Sequence, residues 1–347
     1  MKRTCIAISL AILLFVVGLA VCNPAMAEKK PIILRLVEPA PANDWPLAYK
    51  DMEFAKRFNE RAKGEYKMEV FAGGALAKLP EYFDSVRVGA IEMADAPWGM
   101  FGFADPKLSL LELPFLFASM GAASDACRPL TQLYDPILQQ KFNAKGLALT
   151  NTGGLQLWTD RPVKTLEDMK GLMIGTISPS SATLVKNLGG SPVPIMWTEM
   201  FEALQKKVID GATQGTHGMV VTQLYNVVKY GTIFFPIAGY NGYTINLDVW
   251  KKMPQNIKDI LQEEANRAAD WMTEVCTTQV GDDDMKLFKE KGVSIYILPK
   301  DERQRWEERL ASYKKEEVAK AAEFGQQVLK IADEANKKFP YTERGMY

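Results

Sequence analysis

Apolar strands alternate with amphipathic helices in a fixed order, and this order constrains the fold more than any other feature of the sequence. "IILRLVE" (32–38) reads as a strand, after which Ala48, Met52, Ala55, Phe58 and Ala62 recur at helical spacing. Tyr66, Met68 and Val70 alternate as a second strand that ends in Gly73-Gly74. A helix carrying Leu79, Phe83 and Val86, then the strand "IEMADAP" (91–97), complete a βαβαβ unit. Parallel strands joined in this way need helices on both faces of a sheet.

A second such unit starts near residue 147. Its strands are "GLALT" (146–150), "LMIG" (172–175), "PVPI" (192–195) and "VIDGAT" (208–213). The runs "YGTIFFPIAGY" and "YTINLDVW" (243–250) are expected to carry the chain back to the first sheet. Ile257, Leu261, Ala265, Ala268 and Met272 form a helical stripe. Val318, Ala321, Phe324, Val328, Ile331 and Ala335 form another, along one long final helix. Two α/β units joined by crossing strands make a hinged, two-lobed molecule. Its ligand is expected at the carboxyl ends of the strands, under a closing cleft.

The amino terminus is a separate object. Lys2 and Arg3 precede an apolar run from Ile6 to Val21, then Ala25-Met26-Ala27, which reads as a signal peptide (1–27) cleaved after Ala27. The alternative is a lipoprotein acylated at Cys22. Cys127 and Cys276 remain in the mature chain, either as one disulfide or as two separate buried thiols.

Composition removes several functions. The formal net charge is zero, so there is no basic footprint for nucleic acid. His217 is the single histidine, no G-x-S-x-G elbow accompanies it, and it reads as bonded at a helix start. No zinc spacing, phosphate loop or dinucleotide fingerprint occurs. "GDDDMK" (281–286) lacks the alternation of a calcium loop and reads as a solvated helix start. The expectation is a non-enzyme with no metal and no cofactor. Trp45, Trp98, Trp158 and Trp197, four of the seven tryptophans, fall near strand ends and are expected to face a ligand.

The segment "RPVKTLEDMKGLMIG…LGGSPVPIMWTEMFEALQKKVIDG" (161–211) resembles the solute receptors of tripartite ATP-independent periplasmic (TRAP) transporters, of the DctP type. Weaker echoes are "GGAL" (73–76), "VGAIEMADAP" (88–97), "LELPFLF" (111–117) and "W-x-x-MP" (250–254). The resemblance implies an α/β, two-lobed periplasmic-binding-protein fold with hinge-crossing strands and a long bracing carboxyl-terminal helix. The implied lobes are 28–152 with about 241–280, and 153–240 with about 281–308; residues 309–347 pack across both. It implies a monomeric periplasmic receptor that closes on a small solute, organic acids being usual. The receptor then hands the solute to a small and a large membrane subunit. A sensing role on the same scaffold is the alternative.

The resemblance also implies a site. It places Trp197 against the solute as a stacking face, and Gln214, Tyr240, Asn241, Trp98, Glu38, Asn43 and Trp45 at contact positions. Arg161 is implied to be structural, bracing the region between the lobes. In the family an arginine that pairs with the solute carboxylate stands where this chain has Gly175, and a second falls at Leu155. Three solutes stay open. An acid or sulfonate, the favoured reading, would be held by Ser178, Ser180 and Ser181 at a helix start, with Gly175 giving room for its approach. A neutral or cationic solute would be boxed by tryptophans with Glu38, Asp44 or Asp95 as counter-charge. A larger or aromatic solute would take up the arginine volume.

Overall fold

The computed structural model describes residues 30–347; the signal peptide, its cleavage after Ala27 and the Cys22 alternative lie outside the described residues. The strands in chain order are β1 Ile32–Glu38, β2 Tyr66–Ala72, β3 Met93–Ala96, β4 Ala144–Thr159 and β5 Met173–Thr176. They are followed by β6 Ser191–Pro194, β7 Gly211–Gly215, β8 Tyr230–Ile233, β9 Ala238–Asn246 and β10 Ser294–Ile297. They form one sheet of order β2-β1-β3-β9-β4-β7-β5-β6, with β8 on β4 and β10 on β8.

Each end of the sheet is a small parallel unit. β1 pairs in parallel with β2 and β3, and β5 with β6 and β7. The two ends are joined by β4 and β9, which pair with each other antiparallel. β4 runs far beyond the expected 146–150, because Leu147, Leu149, Leu155 and Leu157 find buried places along its whole length. Its register with β9 shifts between Asn151 and Gly154. Gly153 there has φ +107, a conformation that L side chains rarely adopt. The chain therefore bends where it passes from one half of the sheet to the other.

The first half is closed by two helices. Phe54 and Phe58 of the helix Leu47–Ala62 pack with Ile257, Leu261, Ala265 and Ala268 of Gln255–Val275, against Leu34, Leu36 and Met93. Burying each phenylalanine contributes about 2 kcal/mol. Met52 is 39% exposed and lies off this stripe. The expected strand 243–250 stops at Asn246, whose Oδ1 accepts from the N–H groups of Asp248 and Val249, both at 3.0 Å. That cap starts a helix, Leu247–Lys252, in place of the last strand residues.

The tail is helical but divided. Lys300–Lys320 and Ala322–Lys338 meet at Ala322, where φ is +50. At Gly325 a Cβ would lie 2.3 Å from the Val318 carbonyl oxygen, so only glycine permits the two helices this approach. Together they touch both halves of the molecule. The Glu302 carboxylate accepts from the Leu166 N–H at 3.2 Å, and Asn336 bonds the backbone of Ala118 and Leu116. No helix among the described residues is long and apolar enough to cross a membrane. Cys127 and Cys276 are both free and buried, and burial pushes the Cys276 thiol up to about 12.

Candidate functional site

A cavity of about 160 Å³ opens where β4 and β9 cross. Thr152, Gly153, Gly154 and Leu155 of β4 and its bend, and Ala238, Gly239, Tyr240 and Asn241 of β9, form its floor. A larger recess of about 420 Å³ lies on the outer face, between Cys127–Phe142 and Gln255–Val275. It is lined from one half of the molecule only, whereas the smaller cavity is walled from both, so the smaller cavity is the candidate.

One wall comes from the β1 side. Glu38 ends β1 and is fully buried; its Oε1 accepts from the Ala40 N–H at 2.6 Å, and its Oε2 has no partner. Behind it, Lys50 Nζ lies 2.6 Å from Asp51 and 2.5 Å from Asp95, and donates to the Tyr243 hydroxyl oxygen at 2.9 Å. Burial alone would push the ammonium down, but Asp51 and Asp95 outweigh it and hold its pKa well above the ordinary value. Burial, then the Asp51 and Asp95 charges, push the Glu38 carboxyl well above the carboxylate range. The Glu38, Asp51 and Asp95 oxygens lie within 4.8 Å of one another and could enclose a metal ion. Lys50 already fills the place of that cation.

Glu112 joins this wall. Its side chain stands over Gly99, where a Cβ would be 2.5 Å from its Cγ. Its Oε2 is buried without a partner, and burial raises its pKa against the pull of the Ser178 hydroxyl. The Tyr240 ring lines the cavity while its hydroxyl donates to the Ala123 carbonyl at 2.6 Å.

The other wall is mostly hydrocarbon. Leu155, Ile177, Ile237 and Trp197 line it, with Gln214, whose Nε2 is buried and unpartnered. The arginine position at Leu155 therefore faces the cavity as an alkyl group. Gly175 does not line it. A Cβ there would meet Ile209 Cδ1 at 2.8 Å and Met200 Cε at 3.5 Å, so the place of the family's arginine is filled from the core. Among the described residues, no lysine or arginine lines the cavity.

His217 closes one end. Its Nε2 lies 3.2 Å from Asp44 Oδ2, and its Nδ1 lies 3.3 Å from Asp284 Oδ1. Burial pulls the imidazolium down, but Asp284 and Asp44 overcome this and raise its pKa to about 9. Both ring N–H groups are thus committed. The contact joins the loop after β1 to the residues after β7.

Of the expected contacts, Glu38, Trp197, Gln214, Tyr240 and Asn241 line one cavity. Asn43, Trp45, Trp98, Gly175 and Ser178 do not. Asn43 is exposed, and Trp45 stands edge-on to Trp271 at 6.3 Å. Trp98 is core: it fills the space over Gly146 and Gly242 and donates to the Gly242 carbonyl at 3.1 Å. Trp158 is core too, donating to the Gln214 carbonyl at 2.8 Å. The Ser178 hydroxyl accepts from the Ser181 N–H while the Ser181 hydroxyl accepts from the Ser178 N–H, so this helix start is consumed by its own cap. Arg161 is exposed and donates to the Lys170 carbonyl at 3.0 Å, bracing its own loop and not the join between halves.

Three participants were missed by sequence reasoning. His217 is bonded at a helix start as expected, but its place at the cavity was not foreseen, and Asp284 is buried against it, where a solvated helix start is expected. A signal existed: Asp284 shares a helix face with the buried Phe288. Glu112 had one as well, as a lone carboxylate inside the apolar run "LELPFLF".

Comparisons with known proteins bear on the family and the fold. The family model described as bacterial extracellular solute-binding protein, family 7, matches residues 41–321. The C4-dicarboxylate-binding protein DctB of Bacillus subtilis is 29% identical over 276 residues, covering 78% of this chain and 77% of that protein. The sialic acid-binding periplasmic protein SiaP of Vibrio cholerae is 24% identical over 248 residues, covering 70% of this chain and 75% of that protein. The structure of DctP7, a Bordetella pertussis extracytoplasmic solute receptor binding pyroglutamic acid, shares the fold with a TM-score of 0.81 at 19% identity. That match covers 87% of this chain and 99% of DctP7. A continuous family match, a sheet that crosses twice between two halves and a cavity at the crossing make this chain a member of the extracellular solute-binding protein family 7, a TRAP receptor of the DctP type.

Proposed function

We propose that this chain is the periplasmic receptor of a TRAP transporter: it closes on one small organic solute and delivers it to the membrane subunits. The observation that carries this reading is the cavity where β4 and β9 pass between the halves, walled from both halves of the molecule. Residues 28–152 with about 241–280, and 153–240 with about 281–308, act as the two lobes, and residues 309–347 brace them. The receptor works as a monomer, released after cleavage behind Ala27. Glu38, Trp197, Gln214, Tyr240 and Asn241 contact the solute, together with Glu112 and Leu155.

Small-angle scattering tests the closure. The mature chain is measured as isolated from its own periplasm, and again after unfolding, dialysis and refolding. The isolated form is expected to be the more compact, and a small molecule at one per chain is expected in its extract. Equal radii with no released molecule would overturn the reading. Delivery is tested by uptake of that extracted molecule into vesicles carrying the two membrane subunits, with and without the receptor.

A further inference from the structure

Among the described residues the cavity is lined by no lysine or arginine, and it presents carboxyl oxygens together with one amide donor, Gln214 Nε2. Glu38 Oε2 and Glu112 Oε2 are buried without a hydrogen-bond donor, on residues that line it, the Glu38 carboxyl lying against that of Asp51 and the Glu112 carboxyl near the Ser178 hydroxyl. The other carboxylates nearby are already engaged, Asp95 by Lys50 and Asp44 by His217. The lone positive side chain among the lining residues, His217, has both nitrogens turned to Asp44 and Asp284. The serine-capped helix start offers nothing in its place. Ser178, Ser180 and Ser181 do not line the cavity, and the N–H groups of Ser181 and Ala182 bond back to Ser178. A bound carboxylate would therefore meet two carboxyl groups, an amide and hydrocarbon.

Resting on the receptor reading above, we infer that the solute is a small protonated amine. Its ammonium donates to Glu38 and Glu112, whose protons, favoured by burial while no cation is beside them, pass to solvent as the ammonium enters; its apolar body lies on Trp197, Leu155 and Ile177. Buried acceptors left without a donor are costly, and an ammonium supplies three donors. Trp197 and the Tyr240 ring add aromatic faces, which attract a cation that has left water. Gln214 Nε2 is a donor without an acceptor, so the solute also carries a hydroxyl or carbonyl oxygen. Loss of the arginines at positions 155 and 175 and the presence of unpaired carboxyls are thus two sides of one change in specificity.

Three size-matched probes separate the classes: ω-aminopentanol, α,ω-pentanediol and ω-hydroxypentanoate. Each is titrated calorimetrically into the refolded mature chain. The amino alcohol is expected to bind, the diol about tenfold more weakly, and the hydroxy acid about a hundredfold more weakly. Glu112→Gln keeps the shape of the side chain and removes its ability to ionise beside a cation. It is expected to weaken the amino alcohol about tenfold and leave the diol within about threefold. A hydroxy acid or diol that binds as well as the amine overturns the inference, as does an amine that does not bind. A molecule released from the isolated receptor that bears a carboxylate or sulfonate and no amine overturns it independently. In each of these cases the change in radius between isolated and refolded protein still decides the receptor reading by itself.

Discussion

The two walls of the cavity are built on different foundations. Behind Glu38 stands a buried set of charges, with Lys50 between Asp51 and Asp95 and Tyr243 beside them. Behind Leu155 and Ile237 stands a hydrocarbon cluster that includes Leu157, Ile174, Leu184 and Phe234. One wall is held by directional bonds and presents polar groups. The other is held by close packing and presents alkyl and aromatic surface. The difference teaches where each kind of group is offered: the β1 side presents the polar groups, while the β5–β7 side presents alkyl and aromatic surface. A family arginine would have put the charge on the second wall.

The largest effect is expected from breaking the charged foundation. Lys50→Met leaves Asp51 and Asp95 buried without their cation, and should cost about 3–5 kcal/mol in urea unfolding. A loss below about 1 kcal/mol would mean that the carboxyls simply take up protons.

The next test breaks the contact that joins the walls. The folded pKa of His217, about 9, lies above its ordinary 6.5. Its contribution is therefore full below pH 6.5, falls as pH rises, and is gone above about 9. The loss should approach about 3 kcal/mol in unfolding experiments across that window, and His217→Asn should flatten the slope. An unchanged slope in the variant would show that other groups titrate.

Overfilling the packed foundation comes third. Gly175→Arg drives a side chain into Ile209 and Met200 and should destabilise by about 1–3 kcal/mol without improving carboxylate binding. A gain in affinity for ω-hydroxypentanoate would show that the second wall can still be converted. The smallest expected effect sharpens the comparison. Trp197→Ala should lower the affinity for the solute by about tenfold, with little change in melting temperature. Unchanged affinity would place Trp197 outside the contact.

Much of the fold was legible because its cause is local. The strand β1 at Ile32–Glu38 and the helices Leu47–Ala62 and Gln255–Val275 follow from the spacing of apolar residues along a few turns. The full length of β4 was not legible, since its residues near Gly153 read as a loop until β9 pairs with them. The break at Ala322 was hidden too, because the apolar stripe runs through it without interruption. Among the tryptophans, position after a strand did not tell Trp197 from Trp98. The first lines the cavity; the second is drawn into the core by the space over two glycines far away in the chain.

By itself the sequence determined the alternation of elements, the family and the absence of the two arginines, because each of these is written in contiguous residues. Only the tertiary structure decided what replaced them. Asp44, His217 and Asp284 lie on three separate segments, and so do Glu38, Glu112 and Gln214. Whether a buried carboxyl has a partner depends on which distant chain segments pack around it. That is settled by the crossing of β4 and β9, and no local pattern encodes it.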